Sequence, residues 1–186
     1  MALPLGRMSA SEIQKGFTED SIKAMARAGW FAASEAYRQT RFPNNWENRT
    51  YNLHDSYGSA VYVNGDLRED TIHYAVERGR SNKDSTRKTH YGRNGREALD
   101  IYFKKNHFGK KSGEIVVVVV AAMWYAEALE KKGYYVIKGV AYRELAKHIE
   151  TEMAPVFEKW GMSHKDMSRV IGRGRYWKNI DKEASK

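Results

Sequence analysis

The chain contains no cysteine, which excludes disulfides, thiolate metal sites and a cysteine nucleophile. It also lacks a long apolar run. The longest, Ile115 to Ala126, has twelve residues, whereas a helix needs about 20 to cross a bilayer. The N-terminus, MALPLGRMSASEIQ, has no continuous apolar stretch of the signal-peptide kind. A cytoplasm-like compartment is therefore expected for synthesis and residence. No internal repeat and no low-complexity tract occurs.

Catalytic constellations are equally scarce. His54, His73, His90, His107, His148 and His164 show no spacing that sets two metal ligands on one helix face. His54-Asp55-Ser56 holds the residue types of a hydrolase triad, but adjacent residues do not reach triad geometry, which is assembled in space. Gly92-x-x-Gly95 and Gly172-x-Gly174 lack the strand–turn–helix context and full spacing of a nucleotide site. No enzyme activity, metal or cofactor is expected on these grounds.

What the chain does have is basic charge in two blocks. The net charge is +9 over 186 residues. Residues 78–111 hold eleven basic against three acidic residues, and 161–186 hold seven against three. The remainder is slightly acidic. Two basic segments on such a body suit a polyanion, most simply nucleic-acid phosphate; the plainer reading is two solvated stretches without a partner. Arg78, Arg80, Lys83, Arg87, Lys88, Arg93 and Arg96, with Arg173 and Arg175 in the tail, are the candidate contacts to DNA or to a protein partner. With Tyr91 the only aromatic among the loop cations, this composition suits backbone contact rather than base reading.

Apolar material is present too, at 41% with five Trp and twelve Tyr. The most distinctive stretch is Ile115 followed by five valines. β-Branched side chains favour a pleated backbone, and a strand apolar at every position calls for cover on both faces. Ala126-Glu127-Ala128-Leu129-Glu130 then reads as a short helix ending at Lys131-Lys132-Gly133.

Upstream, Thr18-Glu19-Asp20-Ser21 reads as a helix start. Ile22, Met25, Ala26, Gly29, Ala33, Ala36 and Tyr37 line one face of a helix that stops near Thr40. Trp30 and Phe31 fall off this stripe, so a second side of the helix should meet something. Tyr57–Val63 reads as a strand, Asn64-Gly65 as a hairpin turn, and Asp70–Glu77 as the returning strand. Residues 78–95 read as a long loop, and Arg96–Asn106 as an amphipathic helix with Leu99, Tyr102 and Phe103 on one side. Residues 134–139 suit another short strand. Val140–Trp160 suits a long helix with Leu145, His148, Ile149, Glu152 and Met153 on one face, kinked or ended early by Pro155.

The expected fold is α+β: a small antiparallel or mixed sheet packed against a long N-terminal helix and a C-terminal helix, with a long basic loop and a basic C-terminal tail. The expected division is an N-terminal arm (1–17), one domain (18–160, with the basic insertion at 78–112) and the tail (161–186).

Two segments carry a family resemblance that covers roughly residues 20–160. Asn48-Arg49-Thr50-Tyr51-Asn52-Leu53-His54-Asp55-Ser56-Tyr57 runs into a strand and is similar to a TGNLRDSI-like segment. Tyr125-Ala126-Glu127-Ala128-Leu129-Glu130 is similar to a YAxxLE-like one. In this order, around a variable insertion, they resemble the tail-completion, or head–tail joining (neck), proteins of long-tailed bacteriophages. Tyr51 stands where that family has glycine, His54 where it has arginine, and Glu130-Lys131-Lys132-Gly133 replaces its EFGT.

The resemblance implies a virion structural protein, assembled in the host cytoplasm. Its subunits would form a ring, commonly hexameric, between the portal or adaptor and the tail terminator or tube, around double-stranded DNA. Asn52, Leu53, Asp55, Ser56, Tyr125, Ala126, Leu129 and Glu130 would then be fold-building: polar side chains bonding a turning backbone, with Leu53 as an apolar plug. The alternative, from composition alone, is a sequence-independent nucleic-acid-binding protein gripping phosphates with its loop and tail.

Overall fold

A computed structural model of the chain describes residues 8–39, 52–76, 95–123, 126–132, 136–137, 141–163 and 165. In chain order the elements are α1 (Ala10–Gln39), α2 (Asn52–Asp55), β1 (Tyr57–Val63), β2 (Asp66–Tyr74), α3 (Gly95–Lys105), β3 (Ile115–Ala121), α4 (Ala126–Lys131) and α5 (Ala141–Lys159). The fold is α+β: a three-stranded antiparallel sheet of order β2-β1-β3 packs against the long N-terminal helix, and a C-terminal helix follows. The chain forms two compact units. One is Ile22–Glu152 and the other combines Met1–Ser21 with Met153–Lys186; α1 and α5 each pass from one unit into the other.

In the larger unit, the sheet lies between two helices. Directly opposed residues of antiparallel strands share a face. Val61 and Val63 on β1 therefore lie with Val117 and Ile115 on β3, and this face packs against Ile22, Met25 and Ala26 of α1. The approach is close at Gly29, where an added Cβ would lie 2.7 Å from Val117 Cγ2 and 2.9 Å from Ser59 Cβ. The other face presents Gly58, Ala60 and Tyr62, with Val118 and Val120, to Leu99 and Phe103 of α3.

This arrangement corrects the expectation for the valine strand. Both of its faces do meet apolar side chains, but among the described residues β3 is an edge strand, and residues 115–120 are only half-buried. The buried strand is β1, the central one, in which residues 57–62 are all buried. Position within the sheet, not the number of valines, sets the burial.

The hairpin forms as expected. Asn64 (φ 55°) and Gly65 (φ 93°) are both left-handed, the requirement of a type I′ turn. Pairing therefore begins at once with Val63 opposite Asp66, so β2 starts four residues before the expected Asp70 and ends at Tyr74. The charges Asp66, Arg68, Glu69 and Asp70 belong to an edge strand, where water solvates them.

The β1–β2 ladder shifts register between Ser59 and Val61, and Thr71 repairs the break. Its hydroxyl accepts from Val61 N (2.9 Å) and donates to Arg68 O (2.6 Å) at a residue 3% exposed. Thr71→Val leaves the Val61 N–H buried without an acceptor, so a loss of about 2 kcal/mol is expected. Thr71→Ser, which keeps the hydroxyl, should retain most of the stability; urea unfolding midpoints compare the two.

Helix α1 begins eight residues before the expected Thr18, so much of the segment read as an arm is helical. Ser9 and Glu12 form a capping box: Ser9 Oγ accepts from Glu12 N (3.2 Å), and Glu12 Oε2 accepts from Ser9 N (2.7 Å). Donation to the carboxylate from Ser9 N first, and then from Ser9 Oγ (2.7 Å), holds the Glu12 carboxyl below its usual pKa. In the smaller unit, Phe17 meets Phe157 edge-on at 5.6 Å, and the Trp160 ring fills the space beside Gly16. Asp20 Oδ2 accepts from Trp160 Nε1 (2.8 Å) and Lys159 Nζ (2.6 Å).

Helix α5 runs through Pro155 without ending early. The carbonyl left without a donor is that of Thr151, and both residues are exposed, so water can take that bond. The helix stops where expected. Met162 N donates to Phe157 O and Gly161 N to Glu158 O around a left-handed Gly161 (φ 68°), a Schellman cap. Of the short strand expected at 134–139, only 136–137 are described, and they form a bend. The 78–94 loop, Met167, Val170 and Ile171 lie outside the described residues.

Candidate functional site

Two segments distant in the sequence meet beneath the end of the sheet. After the single turn α2, Ser56 Oγ donates to Leu53 O (2.8 Å) and Ser56 N donates to the same oxygen (3.1 Å). This local turn aims Leu53 inward, where it is fully buried with Tyr57, Ala122, Met123, Ala126 and Val136. Leu129 packs against the same cluster. The segments are joined directly, Ala122 N donating to Ser56 O (3.1 Å). Tyr57 OH donates to Val136 O (3.0 Å), giving the buried phenol its partner. Leu53 is thus the plug its sequence context suggests, and Ser56 bonds the turning backbone. Asp55 is buried in the same turn.

The residue types of a triad do not become one here. The Ser56 hydroxyl is committed to Leu53 O, and the His54 ring meets Tyr37 edge-on at 5.1 Å. Among the described residues, no group of three or more His, Asp or Glu could hold a metal ion. No helix among them is long and apolar enough to cross a membrane.

The basic loop is described only at its stem. Arg96, at the start of α3, donates to Val76 O (2.7 Å), and its guanidinium lies 4.4 Å from the centroid of the Tyr74 ring. Tyr74 OH donates to Asp100 Oδ1 (2.6 Å). Burial, then Asp100, pushes the Tyr74 hydroxyl up to about 12, so it stays protonated and holds β2 to α3. Arg96, read from the sequence as a contact to DNA or a partner, is therefore engaged within the fold, where it links the start of α3 to Val76 and Tyr74. Arg78, Arg80, Lys83, Arg87, Lys88, Arg93, Arg173, Arg175 and Tyr125 lie outside the described residues, as do the side chains of Asn52 and Glu130.

A second cationic feature was not singled out from the sequence. Lys104 and Lys105 end α3, and Lys110 and Lys111 form a tip between Gly109 (φ 72°) and Gly113 (φ 79°). The tip is held against the hairpin. Gly113 N donates to Asn64 Oδ1 (2.6 Å), Asn64 N donates to Glu114 O (3.0 Å), and the His107 ring bonds Gly65 O (3.1 Å). All four lysines are exposed and make no ion pair among the described residues. The signal was the Gly-Lys-Lys-Ser-Gly spacing, which shows a turn but not what the turn rests on.

Trp30 (39% exposed) and Phe31 (37% exposed) stand out from α1. Trp30 lies 5.1 Å from Phe31 and 6.3 Å from His73, and Phe31 lies 5.3 Å from His148 of α5. The second side of α1 thus meets β2 and α5 while leaving both rings partly open. Nearby, Arg27 and Glu152 pair at 2.6 Å.

Burial lowers the His73 pKa. The folded chain therefore binds this proton less readily than the unfolded one. Its contribution is full above the ordinary value of 6.5 and is lost as pH falls from there through the lower folded pKa. The urea midpoint should fall between about pH 7.5 and 5.5, and His73→Gln should flatten that slope.

No family model matches the chain, and no curated protein or solved structure shows significant similarity to it.

Proposed function

We propose that this chain is a structural subunit of the neck of a tailed bacteriophage. It would be a tail-completion protein that assembles as a ring, commonly a hexamer in similar proteins, between the head connector and the tail. The portal or adaptor, the tail terminator or tube, and double-stranded DNA in the channel would be its neighbours.

The observation that carries this reading is the meeting of the two segments on which the resemblance rests. Leu53, Tyr57, Ala126 and Leu129 share one core region, and Ala122 N is bonded to Ser56 O. Segments that jointly build a core, with the Ser56 and Tyr57 hydroxyls bonded to backbone oxygens, suit a scaffold whose output is surface and shape rather than a reaction. The exposed lysine tip supplies cationic surface that a DNA channel or a neighbouring protein can use, and the sequence adds the basic residues of 78–93.

The second reading, a nucleic-acid-binding protein without sequence preference, is favoured by Lys104, Lys105, Lys110 and Lys111. Exposed lysines that make no ion pair among the described residues can replace counterions along a phosphate backbone. Native mass of the purified chain, with and without short duplex DNA at low and moderate salt, separates the two. A discrete ring, or a small species indifferent to DNA, supports the neck subunit. Tight binding at low salt that is lost steeply as salt rises supports the alternative and counts against the neck reading.

A further inference from the structure

We infer that β3 is an interface between two copies of this chain, pairing antiparallel with β3 of the second copy across a two-fold axis. The sheet would then run continuously as β2-β1-β3-β3-β1-β2.

The argument starts from the contrast between the two edges of the sheet. Proteins blunt exposed strand edges with charges, prolines or bulges, because unpaired N–H and C=O groups template further pairing. The β2 edge is blunted in this way: it carries Asp66, Arg68, Glu69 and Asp70 and a register shift closed by Thr71. The β3 edge has none of these. Its sequence is IVVVVVA, all seven residues are paired in unbroken register with β1, and the strand is uncharged. Among the described residues nothing pairs with its outer side. The side chains of 115–120 remain half-exposed, although α1 and α3 contact both faces. Such a strand suits β-augmentation, in which backbone bonds supply affinity and alternate side chains pack on either face.

Charge identifies the occupant. Full-register antiparallel self-pairing would centre on Val118, with Val117 facing Val119, Val116 facing Val120, and Ile115 facing Ala121. Every pair is apolar, so no like charges oppose. The β2 edge of a second copy would instead bring its acidic side chains against valines.

Self-pairing also settles the direction. The cationic tip, Lys110 and Lys111, directly precedes β3. Parallel pairing would set the two tips side by side, whereas antiparallel pairing sends them to opposite ends of the strand. Seven residues span about 24 Å, well beyond a screening length of about 8 Å.

A two-fold contact is isologous and does not generate a ring by itself, which needs a head-to-tail contact elsewhere. The inference therefore does not rest on the neck reading, and each can fail without the other.

The test is a concentration series of the full chain by sedimentation velocity, with amide hydrogen exchange followed on β3 peptides in the same samples. A reversible dimer is expected, with protection of 115–121 rising as dimer forms. Val118→Lys should weaken dimerisation at least about tenfold. Because this residue also packs on α3, far-UV circular dichroism must first show the variant folded. If it is not, the exchange data on the unaltered chain decide. A chain monomeric throughout, a dimer whose β3 amides gain no protection, or open-ended association without a discrete dimer would each overturn the proposal.

Discussion

Gly58→Ala should be among the most damaging single substitutions in the larger unit, lowering stability by about 3 kcal/mol. Gly58 lies in the central strand with its missing side chain pointed at α3. A Cβ there would lie 2.6 Å from His73 O and would run into the Leu99 side chain. Leu99 can turn aside at the cost of local packing. The His73 carbonyl cannot move alone, because it belongs to β2, paired at that level with β1. The added methyl must therefore part β1 from β2 or lift α3 from the sheet. For a chain of this size, the melting temperature should fall roughly 6–12 °C. Adding Leu99→Ala to Gly58→Ala removes one of the two collisions, so the double variant should lose less than the sum of the single effects. Strict additivity would show that α3 is not seated on Gly58.

Leu53→Ala should cost a comparable amount, about 2–5 kcal/mol. Leu53 is fully buried, and the turn that carries it is pinned by two bonds to its own carbonyl from Ser56. The backbone therefore has little freedom to collapse into the space, which places the cost toward the upper part of the range. Leu53→Met, which nearly conserves volume, should cost less than about 1.5 kcal/mol. Calorimetric or urea unfolding of both variants tests the plug directly. Near-equal losses would mean that the position senses polarity or turn geometry rather than volume. Because natural domains are stable by only about 5–15 kcal/mol, Leu53→Ala alone could leave a substantial unfolded fraction. An assembly defect in that variant should therefore be read only after its folding is measured.

These two positions illustrate which kinds of information are local. Leu53 was legible as a plug because Asn, Asp and Ser around one leucine announce a turn with a single apolar residue to bury. The type I′ turn at Asn64-Gly65 and the apolar face of α1 were legible for the same reason: backbone preference and side-chain period act within a few residues. The capping box Ser9-x-x-Glu12 was equally local, and attention to it would have placed the start of α1 correctly.

What only the tertiary structure decided depends on elements far apart in the chain. The valine run showed that β3 is a strand, but strand order follows from which edges pair, and that order made β1 the buried centre and left β3 at an edge among the described residues. The close approaches at Gly29 and Gly58 exist because α1 and α3 lie on opposite faces of the sheet. Arg96 carries the same charge as its neighbours in the sequence, yet an acceptor at Val76 and a ring at Tyr74 draw it into the fold. The lysine tip gained its support from Asn64, on another turn altogether. The chain by itself determined its helices, its hairpin and its charge; three-dimensional packing decided which apolar strand is covered and which cations remain available, because burial and pairing are properties of neighbours in space.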